Sequence, residues 1–240
     1  MTDAFFVVSN PRRSLHIRRM NTPSTILMLA SALCLAVSSA QAVDAKHSSA
    51  PGNEAEAAFK KLQAGNARFV SQPESSAKAT SKARKASAKS EHPFAVVVGC
   101  SDSRTAPEAV FDQNIGDLFV IRTPGNVVDD HALGGIEYAV NQLGAKLVVV
   151  LGVKRCSFVE AAVNGHVLPG HLPSVTREIQ QAVRAVRHDE GDLLVNAVHE
   201  NVYRAADKIS KKAHFGDAAS SVRIVRALYD TGTGKVEFLK

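Results

Sequence analysis

Four short apolar runs, set apart by polar or amphipathic stretches, constrain this chain more than any other feature. They are FAVVVG (94–99), DLFVIR (117–122), KLVVVLG (146–152) and SVRIVRALYD (221–230). Runs this short, with little polar alternation, read as strands buried on both faces, as in a parallel sheet. ALGGIEYAVNQLG (132–144) places Ile136, Ala139, Val140 and Leu143 on one helical face, and Gly144 stops the helix. SVTREIQQAVRAV (174–186) and DLLVNAVHENVYRAADKIS (192–210) are amphipathic helices, and TGTGKVEFL (231–239) is a turn and a short returning strand. Upstream, EAEAAFKKLQAGNARFV (54–70) is a helix with Ala58, Phe59, Leu62 and Phe69 on or near one face. The expected fold is α/β: a mostly parallel central sheet flanked by helices, with an N-terminal helical arm and a short C-terminal returning strand. The 240 residues suit one medium domain. With no Trp and 5% aromatics, Val, Leu, Ile and Ala must fill its core.

Residues 1–42 read as a secretory signal peptide. Arg18 and Arg19 precede Met20, Ile26 to Val37 is largely apolar, and Ala40-Gln41-Ala42 is a small-x-small cleavage site. The competing reading is an N-terminal membrane anchor, but the apolar run is shorter than the roughly 20 residues of a membrane span, so export with cleavage is expected, with no stable membrane insertion afterwards. Residues 1–19 are either part of the leader or an over-called start. PRRSLHI (11–17) loosely resembles a twin-arginine signal, so the export route stays open. Cleavage removes four Arg and one Asp and takes the net charge from +6 to +3. What remains basic concentrates in SSAKATSKARKASAKSEH (75–92), a solvated linker, a basic helix or a polyanion contact. No aromatic interleaves its charges, so nucleic acid is not an expected partner. The mature chain thus divides into an arm and linker (43–92) and an α/β domain (93–240).

Cys34 leaves with the signal, so only Cys100 and Cys156 remain. In an exported protein they can form one disulfide. Both also follow strands, and sites in α/β sheets form beyond the carboxyl ends of strands. GCSDSR (99–104) carries Cys100, Asp102 and Arg104 at alternate positions; an extended segment points all three to one side. A thiolate and a carboxylate together hold a divalent cation, and Arg104 can grip Asp102 with two prongs. The competing reading is a buried Cys beside a structural Asp–Arg turn. Cys156 stands at the head of a helix over 157–163, where a thiol is pushed toward thiolate. Two thiolates favour zinc.

On these residues the chain resembles the β-class carbonic anhydrases over nearly its whole mature length. GCSDSRTAPEAVFDQNIGDLFVIRTPGN (99–126) resembles the family's first signature, and GGIEYAVNQLGAKLVVVLG (134–152) is similar to the helix and strand before its second ligand group. LPGHLP (168–173), AVHENV (197–202) and IVRALYDTGTGKVEFL (224–239) are similar to later parts. Residues 54–70 resemble a helix that packs across a partner subunit, which implies a homodimer or higher homo-oligomer.

The resemblance implies reversible hydration of CO2 to bicarbonate by hydroxide on Zn2+, with Cys100, Asp102 and Cys156 as metal ligands and Asp102 and Arg104 as the catalytic pair. It also exposes a departure. Where the family has Gly-His-x-x-Cys-Gly, this chain has Gly152, Val153, Lys154, Arg155, Cys156 and Ser157. The imidazole ligand is Val153, and Ser157 replaces a glycine. A catalytic zinc takes three protein ligands plus water. Here three is the most available, and Asp102 on the metal is lost to Arg104. His131, His166 and His171 read as surface or loop residues; His188, His199 and His214 lie on helices or their ends. Lys154 and Arg155 add positive charge that favours an anion. The second reading is therefore a non-catalytic, zinc-poor relative with an anion-binding or scaffold role.

Overall fold

The structure is a computed structural model that describes residues 52–72, 80–165 and 169–240. The signal segment, Cys34, His166 and the first part of the basic linker lie outside the described residues. The elements are α1 (Asn53–Ser71), α2 (Ser81–Ser87), β1 (Ala95–Cys100), α3 (Pro107–Val110), β2 (Leu118–Thr123), α4 (Asp130–Asn141), β3 (Leu147–Val153), α5 (Ser157–Val163), α6 (Leu172–Ala185), α7 (Leu193–Lys212), β4 (Arg223–Tyr229) and β5 (Val236–Leu239). The strands form one sheet in the order β2-β1-β3-β4-β5. The first four are parallel, and β5 returns antiparallel on β4, pairing Arg226 with Leu239.

The central strands β1 and β3 are buried at every position, which is why their sequences read as unbroken apolar runs. Alternation along them feeds two cores. On one side Val96, Val98, Cys100, Val148 and Val150 meet Ile136 of α4, Val159 of α5, Ile179 of α6 and Val202 of α7. On the other, Ala95, Val97, Leu147, Val149 and Leu151 meet Ala58 and Leu62 of α1 and the Val110–Phe111 corner. Caps set the helix starts: Asp129 accepts the Ala132 N–H, and Asp192 accepts those of Leu194 and Val195.

Helix α1 packs on its own chain. Phe59 meets Phe238 edge-on at 4.7 Å, Glu56 pairs with Arg223 at 2.6 Å, and Asn66 donates to the carbonyls of Val110 and Gly234. The face that α1 buries within one chain, Ala58 and Leu62, lies against that chain's own sheet. Within the basic linker, α2 forms behind a Thr80 cap with no buried residue. Of the readings left open for that stretch, a basic helix is the one seen over residues 81–87. No helix among the described residues is long and apolar enough to cross a membrane.

Candidate functional site

Parallel pairing of β1 and β3 brings their carboxyl ends side by side, Gly99 against Leu151. Cys100 is the last residue of β1. Val153 is the last of β3, and a short turn then leads to Cys156, which caps α5. Gly152 lets this end lie close: a Cβ there would stand 2.4 Å from Val202 and 2.9 Å from Leu228. The result is that Cys100 Sγ and Cys156 Sγ face each other at 3.6 Å, both buried.

Backbone N–H groups of Gly125 and Asp102 reach the Cys100 sulfur, and those of Phe158 and Val159 reach Cys156. Gly125 has φ +63 and sits tight against Ile179, so a side chain there is strained twice over. Either sulfur can donate in this contact; the bond shared with Cys156 lowers the Cys100 pKa to about 6, against the opposing effect of burial. Cys156 is pushed the other way, first by that same bond and then by burial. The pair therefore gives up one proton readily and keeps the other.

Asp102 leaves the strand rather than extending it. The chain turns at 103–104, with the Thr105 N–H on the Asp102 carbonyl. The expected alternate-facing triplet is thus replaced by a compact turn. Arg104 Nε and Nη2 meet the two Asp102 oxygens at 2.9 and 2.6 Å, and the Arg104 N–H adds a third bond at 2.9 Å. This grip, from the Arg104 side chain first, holds the Asp102 carboxyl below its ordinary range. Arg104 also donates to the Arg155 carbonyl at 3.1 Å and so ties the β1 loop to the β3 loop. A cavity of about 600 Å³ opens here, lined by Asp102, Arg104, Arg155, Ser157, Phe158 and Glu160 among others. Lys154 is committed elsewhere, to Glu237 at 3.2 Å and Asp230 at 4.0 Å, so the expected positive charge beside the thiols comes from Arg155 and Arg104.

Sequence reasoning missed Arg122, Gly125 and Asn201 as parts of the site. Arg122 Nε donates to the Cys100 carbonyl at 3.1 Å and Nη2 to the Asp102 carbonyl at 2.6 Å. Asn201 of α7 donates to the Gly125 carbonyl at 2.8 Å and holds the turn that serves Cys100. The signal for Arg122 was the strand register, Gly99 against Arg122, which one strand alone does not display.

The donor set can be tested against zinc. Two sulfurs about 2.3 Å from a tetrahedral zinc stand about 3.8 Å apart, and these stand 3.6 Å apart. Two positions are therefore well shaped. The third is not: Val153 offers a buried apolar side chain, and Asp102 is turned to Arg104. His131, His171, His188, His199 and His214 are exposed. Among the described residues no group of three His, Cys, Asp or Glu side chains can hold a metal. The residues present do not complete a zinc site.

Comparison with known proteins agrees with the fold. The family model described as carbonic anhydrase matches residues 95–236. Carbonic anhydrase 2 of Mycobacterium tuberculosis is 36% identical over 196 residues, spanning 77% of this chain and 93% of that protein. The β-carbonic anhydrase CafA of Aspergillus fumigatus shares the fold with a TM-score of 0.62 at 24% identity, over 77% of this chain and 90% of that one. A tetrameric β-carbonic anhydrase of Sordaria macrospora does so with a TM-score of 0.58 at 21% identity, over 77% and 97%.

Proposed function

Since this chain belongs to the β-class carbonic anhydrase family, we propose that it interconverts CO2 and bicarbonate at this pocket, as an exported homo-oligomer whose donor set is one ligand short of a zinc site. The family is generally zinc-dependent, and its enzymes are what this chain resembles along most of its length. The observation that carries the reading is the Asp102–Arg104 pair, held at the mouth of a cavity beside two thiols spaced for one tetrahedral ion.

The chain's own residues have definite parts in such a pocket. Asp102, ionised and fixed by Arg104, only accepts hydrogen bonds, so it orients the O–H of a water or of bicarbonate. Arg104 and Arg155 give a product anion a cationic rim. Position 153 sets the limit. Changes beyond the ligand shell typically lower metal affinity about 10–100-fold, and loss of a ligand exceeds that. Export rests on residues 1–42 and the homo-oligomer on family precedent such as the tetrameric Sordaria proteins.

Stopped-flow CO2 hydration with zinc supplied tests the reading. A slow rate above buffer, removed by Asp102→Ala, is expected. A rate equal to buffer overturns catalysis and leaves the second reading, a non-catalytic anion-binding relative, which the buried Val153 specifically favours.

A further inference from the structure

We propose that Cys100 and Cys156 are a reversible redox pair, whose disulfide closes the site when no metal is held. The proposal rests on the geometry of the two thiols and not on CO2 turnover.

Four features support it. The sulfurs are already in contact at 3.6 Å, so a bond of about 2.05 Å needs small side-chain rotations. Their backbones are fixed as neighbours: β1 and β3 are paired, Arg122 holds the Cys100 carbonyl, and Arg104 bridges to the Arg155 carbonyl. Both thiols are buried and are the free cysteines of the described residues, so each has the other as its partner in reach. The adjoining cavity is lined by Ser101 and Ser157, the residues that follow the two cysteines.

With hydrogen peroxide as oxidant the chemistry closes. Cys100 thiolate attacks one peroxide oxygen, the O–O bond breaks, and hydroxide leaves to become water, giving a sulfenic acid. The Cys156 sulfur then attacks the Cys100 sulfur. The S–O bond breaks, and the hydroxyl departs with the Cys156 proton as a second water. Two thiols and one peroxide give one disulfide and two waters. The bond consumes both sulfur donors, so the disulfide and a bound metal exclude each other. A dithiol reductant reverses it.

The test uses the full chain, reduced, stripped of metal with a chelator and exposed to a slight excess of hydrogen peroxide. Alkylation in denaturant, proteolysis and mass spectrometry then locate every cysteine, Cys34 included. The expected product is a cross-linked peptide pair holding Cys100 and Cys156, two hydrogens lighter than the dithiol and restored by dithiothreitol. Alkylation of both cysteines after peroxide overturns the proposal. So does Cys100 sulfinic acid beside an alkylated Cys156, or a disulfide to Cys34 or to a second molecule. All readouts come from the native sequence, so no variant need fold.

Discussion

Arg104 grips both carboxylate oxygens of Asp102, at 2.9 and 2.6 Å, and so keeps that carboxylate from the two thiols beside it. Removing the grip frees a third donor. Arg104→Ala is expected to raise zinc affinity about tenfold or more, by the scale on which shells around a metal act. Competition with a chromophoric chelator measures it, and an affinity equal to or below that of the native chain contradicts the arrangement.

Arg122 acts on the same loop from the neighbouring strand. Its two bonds go to the carbonyls of Cys100 and Asp102, with a charged donor. Arg122→Ala is expected to lower unfolding stability by about 1–2 kcal/mol, read as a lower urea midpoint with unchanged slope. No loss of stability sinks the assignment.

The thiol pair makes stability depend on pH. In the folded chain the hydrogen bond shared with Cys156 lowers the Cys100 pKa to about 6, against 9.0 ordinarily. A depressed folded pKa contributes stability that is full above the unfolded value and lost as pH falls through the folded one. Reduced, metal-free protein should therefore gain stability from about pH 6 to about pH 9. Cys156 is raised above 9.0. Beyond about pH 9 the unfolded chain releases two protons and the folded chain one, so stability falls again. Urea midpoints across this range should pass through a maximum that Cys156→Ser abolishes; a maximum kept in that variant rules out the pair as its source.

Leu62 of α1 is fully buried against the sheet of its own chain, beneath Ala95, Leu147 and Phe111. Leu62→Ala should destabilise by about 2–5 kcal/mol, with the same shift at every protein concentration. A shift that appears only where subunits associate would place α1 on a partner instead.

Much of the fold was legible because burial on both faces leaves an unmistakable pattern. β1 and β3 are runs of valine since each side chain meets a helix-covered core. The α1 face was readable in Ala58 and Leu62 for the same reason. α2 was not, since a helix that buries nothing has no apolar period. The sulfurs were traceable as strand-end residues, but the turn after Cys100 was not, because local bonds from Thr105 and Arg104 to Asp102 override the extended course. Arg122 and Asn201 join the site through register and tertiary packing, 20 and 76 residues from the groups they hold. Such separations leave no trace in local sequence.

Position 153 leaves the dithiol one donor short of a zinc site. Zinc per chain, measured by elemental analysis after a chelator wash on the native protein and on Val153→His, tests it most directly. Far less than one zinc per native chain is expected, and about one per Val153→His chain, with CO2 hydration rising in step. A native chain that keeps one zinc through the wash contradicts it.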